Sequence, residues 1–515
     1  MSRIAGALAA AMTGAAFALL LPAPRLEACF AVVAGKGATA DGSVLVAHSE
    51  LNDPPPQFQE LLVVPRGPIR GGEPHVAYAD VVLPEGGISH RFLWSHLFVS
   101  TGADAVMNEH GVVCVSDASR TKEIEAGDGL VPDDESARIA RWRLRIEIAR
   151  RARTAREGLR IVESFMAKVG YSGGGVTLVV ADPAEAWIVA LARGRRWVAE
   201  RVPDEGVVVI ANTNVIREVD LGDSGRFRGS ADLVEFAARK GWYDPGAGRP
   251  FDFRVAYDDP FYRDGGFVER YGCDPRQWRG QCLVTGRQIP LPAEAPLPFV
   301  VRPDRKLTVG DLRDVLSDHL EGTPFDATEG YALGSPHDRM TQDDGMICNQ
   351  GNQEAAVFQL RGGMPPDVGC VYWRASAASC SGVLVPWYAG TLSVPEPYGR
   401  HSVERSLDPS FHFSPPRETF VYDPDHAFWI FNTLENLVDL EYGKLHEAIR
   451  QEWAAFEARA FAAQPTVEAE ALALCARDGD LGRAFLTRYS GGLAFEAITI
   501  AKGRIREIRS RVFGY

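Results

Sequence analysis

The residue with the widest chemical choice is a cysteine placed directly behind a greasy N-terminus, in LEACFAVVAGKG at residues 26–37. Leu26-Glu27-Ala28 ends in the small residue that signal processing favours, and cleavage after Ala28 leaves Cys29 with a free α-amine. The thiolate is the reactive form of cysteine, and an α-amine titrating near pH ~8 can take the thiol proton and later hand one to a leaving amine. One residue then supplies both nucleophile and base, with no separate histidine. Two other readings compete. A cysteine beside Phe-Ala-Val-Val also packs well as a small buried hydrophobe. LEAC also resembles a lipid-attachment box, although Glu27 fits it poorly. A thioether would consume the sulfur and acylation would remove the amine, so anchor and nucleophile exclude each other.

The flanking elements decide how such a residue is held. Residues 1–28 carry Arg3, an apolar run from Ile4 to Leu21, and a short Pro/Arg/Glu segment, the layout of a cleaved secretory signal. Export to a periplasmic or extracellular space is expected; an uncleaved anchor is the alternative, weakened by the run's Ala and Gly content. Two apolar segments, Phe30 to Ala34 and Val44 to Ala47, flank a turn around Asp41-Gly42 and read as a hairpin. Further strands are expected at 111–117, 176–182, 186–192, 206–212, 355–360, 369–375 and 382–388, with a helix pair over 134–169. Residues 220–345 read as surface connections broken by a helix at 311–320. Apolar spacing predicts helices at 445–464 and 469–479. The expected division is a main domain over 29–435 and a helical extension over 436–515.

Composition narrows the partners. A chain of 515 residues with 46% hydrophobic and 24% charged residues can bury a substantial core. A formal charge of -13 with no basic block argues against nucleic acid. After leader removal no apolar run remains that spans a membrane. Of eight cysteines, Cys273 with Cys282 and Cys370 with Cys380 are candidate disulfide pairs that spacing alone does not assign. There is no close CxxC pair and no HExxH, so no metal is expected. GKGATADGS lacks the phosphate-loop spacing and GYSGGG the order of a serine elbow. His110, His337 and His426 read as structural or surface groups rather than parts of a triad.

The stretch CFAVVAGKGATADGSVLVAHSE, with Gly35-Lys36, Ala38 and Asp41-Gly42-Ser43, resembles the start of the cysteine dipeptidases of the N-terminal-nucleophile superfamily, relatives of secernins. MNEHGVV at 107–113, YSGGGVTLVVADPAEAW at 171–187, VVVIANTNVIREVDL at 207–221, LRDVLSDHLEGTPFD at 312–326, VFQLR at 357–361, VPWYAG at 385–390 and HAFWIFN at 426–432 follow in the family's order. The resemblance implies a four-layer αββα sandwich in the α/β class, amide hydrolysis of dipeptides or short peptides, no cofactor and no metal. It implies Cys29 as nucleophile and Asn212 as the side-chain amide that stabilises the oxyanion; a turn former is the plainer reading of Asn212. Glu50 would pair with a substrate ammonium, and Asn108 and Arg217 would assist binding; each also reads as a loop or strand-end group. Many relatives carry Arg where this chain has His48, which bears on carboxylate recognition. A non-peptide amide acylase and a non-catalytic lipoprotein anchored through Cys29 are the alternatives. A homo-oligomer is compatible with either.

Overall fold

Alternation along the strands sets the layers. The computed structural model describes residues 29–51, 58–69, 87–101, 105–259, 265–326, 328, 336–339, 345–349 and 351–512; the expected leader at 1–28 lies outside them. Strand β1 (Phe30–Ala34) sends Ala31 and Val33 into one apolar cluster and Phe30, Val32 and Ala34 into another. A strand buried on both faces must lie inside a layered structure.

Six strands form one antiparallel sheet. They are β1, β2 (Val44–Leu51), β10 (Val207–Ile210), β12 (Asn352–Leu360), β13 (Cys370–Ser376) and β14 (Val385–Tyr388), in the order β10-β1-β2-β12-β13-β14. Eight form the other: β3 (Gln59–Val64), β4 (Phe92–Leu97), β5 (Ala105–Asn108), β6 (Val113–Ala118), β7 (Tyr171–Ala181), β8 (Ala186–Gly194), β9 (Trp197–Arg201) and β11 (Phe227–Gly229). Their order is β11-β9-β8-β7-β6-β5-β4-β3.

Helices complete the sandwich. Helices α1 (Glu135–Arg151) and α2 (Ala155–Lys168) cover the outer face of the eight-stranded sheet, with Trp142, Ile148, Val162 and Phe165 packed on Leu178, Val180 and Trp187. The six-stranded sheet is covered by α3 (Pro275–Thr285), α4 (Val309–Leu316), α6 (Tyr442–Arg477) and α7 (Gly479–Val512). Helix α5 (Ala427–Leu440) inserts Ile430, Phe431 and Leu434 into the core shared by the two sheets. This is the expected four-layer αββα sandwich with added C-terminal helices.

Several sequence expectations change. The two helices expected at 445–464 and 469–479 are one continuous helix of 36 residues, Tyr442–Arg477, with Pro465 inside it. Proline in a helix interior costs about 3 kcal/mol. The packing on both sides of it offsets that cost: Gln464 donates to Gln359 Oε1 at 2.9 Å, and Glu468 is gripped by Arg361. All eight cysteines are free thiols, so neither spacing-based disulfide forms. Cys273 and Cys282 instead flank and enter α3, a buried helix where surface connection was expected. Its limits are written as Asp274, which caps the amides of Arg276 and Gln277, then Pro275 in the first turn and Gly286 at φ 65° past the end.

Helix α3 lies against the six-stranded sheet through Gly280, where an added Cβ would stand 2.7 Å from Val209 Cγ1 and 2.9 Å from Phe30 Cζ. Neither neighbour has room to retreat in a packed core. Gly280→Val is expected to destabilise the protein by about 2 kcal/mol or more, read as a lower urea midpoint with an unchanged slope.

Candidate active site

Antiparallel register brings three of the five sequence-predicted residues together. β1 pairs with β2 in the register Phe30↔Ser49, and with β10 in the register Ala31↔Ile210. Continuing each ladder past its last pair sets Cys29 opposite Glu50 on one side and opposite Asn212 on the other. Side-chain parity then gives all three the same face. Ala31 and Val33, Val44 and Val46, and Val208 and Ile210 point into the core between the sheets, so Cys29, Glu50 and Asn212 open onto the mouth of that same space. From the facing sheet, Val113 and Val115 share that core and bring Asp117 to the same mouth.

The contacts agree with the parity. The Cys29 thiol donates to Glu50 Oε1 at 3.3 Å and approaches the Leu51 carbonyl at 3.5 Å. Asn212 sits in the left-handed region at φ 52°, a conformation asparagine tolerates better than most residues. Its backbone N–H donates to Asp117 Oδ1 at 2.6 Å, and its side-chain Nδ2 donates to the Ala118 carbonyl at 3.0 Å. Arg276 Nη1 donates both to Asn212 Oδ1 and to the Cys29 carbonyl, each at 3.0 Å. Since a guanidinium only donates, it fixes the amide with its oxygen toward Arg276 and its nitrogen away. Cys29, Glu50, Asn212 and Arg276 are all buried.

Arg276 and Asp117 were missed from sequence. Both could have been found: Arg276 by the Asp-Pro start of α3, and Asp117 by its parity with Val113 and Val115. His48 is buried between the sheets and donates through Nε2 to the Ser116 carbonyl at 3.0 Å, with Glu50 Oε2 at 3.8 Å. It ties β2 to β6 at the back of the site.

Asn108 and Arg217 are placed elsewhere. In β5, Ala105 and Met107 face the inter-sheet core and Val106 the outer helices, so Asn108 turns outward. Its Nδ2 donates to the carbonyls of Ala149 and Ala152 at 2.9 and 2.7 Å, satisfying the open end of α1, and its Oδ1 accepts the amides of His110 and Val112. These contacts hold a turn and a helix end. Arg217 lies beyond β10 and is paired with Asp252 at 2.7 Å.

A model of peptidase family C69 matches residues 28–455. The chain belongs to peptidase family C69. It is 27% identical over 382 residues to a probable dipeptidase of Salmonella dublin, covering 73% of this chain and 84% of that protein. It is 25% identical over 430 residues to a dipeptidase of Bifidobacterium longum, covering 75% of each. To dipeptidase A of Lactobacillus helveticus it is 21% identical over 441 residues, covering 82% and 85%. Membership makes the chain a cysteine-nucleophile hydrolase of the N-terminal-nucleophile superfamily. In this C69 chain the thiol directly precedes β1, the amide follows β10, and the guanidinium that orients it comes from the first turn of α3.

The support at the back of the site responds to acid. Burial is the largest influence on His48 and lowers its pKa, outweighing the nearby charge of Glu354 and the Ser116 carbonyl. Above the unfolded value of about 6.5 the imidazole is neutral in both states and its contribution to stability is intact. Below it the unfolded chain gains a proton that the folded chain resists, so stability falls with pH. His48→Gln retains an N–H donor for Ser116 and is expected to flatten this loss, measured as the change in urea midpoint between about pH 7.5 and about pH 5.

Proposed function

We propose that the protein is an exported thiol dipeptidase that matures by losing residues 1–28 and works through Cys29 as its N-terminal residue. The observation that carries this reading is the convergence of Cys29, Glu50 and Asn212 on one mouth by strand register. The dipeptidase names of its relatives point to short peptides. No helix among the described residues is long and apolar enough to cross a membrane. The thiol is buried between the sheets and bonded to Glu50, an environment that favours a nucleophile over a lipid anchor.

In this mechanism the Cys29 sulfur attacks the peptide carbonyl carbon while the thiol proton passes to the Cys29 α-amine. The carbonyl oxygen becomes an oxyanion and accepts the second N–H of Asn212 Nδ2, whose first is held by Ala118. The α-ammonium returns the proton to the leaving nitrogen as the C–N bond breaks. Water, deprotonated by the same amine, then attacks the thioester, and the thiolate departs and is reprotonated. Glu50 accepts the thiol hydrogen at rest and pairs with the substrate ammonium when a peptide is bound. An unblocked amino terminus would therefore be required, which separates dipeptides from N-acyl amides.

Intact mass and N-terminal chemistry of the protein from its native host, followed by dipeptide turnover before and after alkylation, test this reading. The expected result is an unmodified N-terminal Cys29 and turnover abolished by alkylation. A retained leader or an acylated Cys29 would refute it, and faster turnover of N-acyl amides would favour the acylase. Asn212→Ala is expected to lower kcat about 10²–10³-fold. Glu50→Gln is expected to raise KM for dipeptides about 10–100-fold, the loss of one charge-assisted hydrogen bond.

A further inference from the structure

Away from this mouth, four side chains meet that the proposed reaction does not use. His319 follows α4, His337 lies in the single turn Pro336–Arg339, Cys348 precedes β12, and Cys380 lies in the loop after β13. All four are buried, and one ligand atom from each falls within 4.8 Å of the others. His319 Nε2 stands 3.1 Å from His337 Nε2, and the sulfurs of Cys348 and Cys380 are each 3.7 Å from His337 Nε2.

These separations are those of a tetrahedron. With Zn–N bonds of about 2.0–2.1 Å and Zn–S bonds of about 2.3 Å, tetrahedral angles put nitrogens about 3.3 Å apart and nitrogen and sulfur about 3.6 Å apart. The outer contacts agree. His319 Nδ1 lies 2.9 Å from Glu321 Oε1, and His337 Nδ1 lies 2.9 Å from Asp439 Oδ2. A carboxylate on Nδ1 holds the proton there and leaves the Nε2 lone pair facing inward, the arrangement of metal-bound histidines. Two such lone pairs pointing at each other across 3.1 Å repel unless a proton or a cation lies between them. A second group, His90, Glu109 and His110, lacks this character: Glu109 is already paired with Arg66 at 2.6 Å and lies 3.7 Å from Arg91.

The geometry points to a structural zinc site formed by His319, His337, Cys348 and Cys380. Two imidazoles and two thiolates complete the coordination of Zn²⁺, leaving no position for substrate, so the ion braces the fold and takes no part in turnover. Each thiol gives its proton to solvent as its S–Zn bond forms, two protons per ion, and the two thiolates neutralise the charge of Zn²⁺. No CxxC pattern announces the site because its ligands are scattered from residue 319 to residue 380.

Cobalt(II) titration of the reduced, metal-free full chain tests the assignment. One equivalent is expected to bind with a thiolate-to-cobalt charge-transfer band and tetrahedral visible absorption, release two protons, and be displaced by Zn²⁺. Cys348→Ser and Cys380→Ser are each expected to lose that band. Should a variant fail to fold, alkylation mapped on the wild-type chain decides: Cys348 and Cys380 are protected with Zn²⁺ and labelled after chelation. Absence of the band, its persistence in both variants, equal labelling with and without Zn²⁺, or a Cys348–Cys380 disulfide that survives reductant would overturn the site. None of these readouts depends on peptide turnover.

Discussion

The antiparallel ladder on both sides of β1 is the constraint on which the site rests. A strand's side chains alternate with period two, so a slip of one residue against β2 or β10 would send Glu50 or Asn212 to the helix face and leave Cys29 without that neighbour. The register is held because both faces of β1 are buried. Ala31 and Val33 match the space between the sheets, while Phe30, Val32 and Ala34 match the space under the outer helices. No choice of side chain at the mouth could repair an error in that packing.

Burial also sets the character of the polar groups. Glu50, Asn212, Asp117 and Arg276 lie where water is scarce, so each must find its partners within the protein. Arg276 serves three needs at once: it satisfies the Cys29 carbonyl, orients the Asn212 amide, and brings a positive charge to the start of β1. At position 48 this chain has a histidine bonded to a backbone carbonyl, and the positive charge of Arg276 reaches the site from another element.

Much of the layering is legible in the residues. The hairpin of β1 and β2, the run from β6 to β8, β10, and the last three strands of the six-stranded sheet announce themselves as short apolar runs between turn residues. Cys29, Glu50 and Asn212 are legible because they end such runs. Asn108 also ends one, yet counting alternation from Met107 turns it to the opposite face. Helix α3 hid because its body, PRQWRGQC, is polar, and burial of Arg276, Gln277 and Gln281 depends on partners far along the chain. The helices expected at 445–464 and 469–479 join through Pro465 because tertiary packing overrides its cost, and the meeting of His319, His337, Cys348 and Cys380 exists only once four segments have folded.

The pairing pattern also governs when the site can exist. β1 is the first strand among the described residues, yet Arg276, which binds the carbonyl of Cys29, lies 247 residues further along the chain, and β2 pairs with β12 through Leu51 and Asn352. Contacts of such long range form late and slowly, because loop closure must precede any gain from pairing. A chain emerging from the ribosome can fold little of the six-stranded sheet until its second half is present. Cys29 is therefore synthesised well before the neighbours that complete its site, so products truncated before Arg276 carry the thiol without that neighbour.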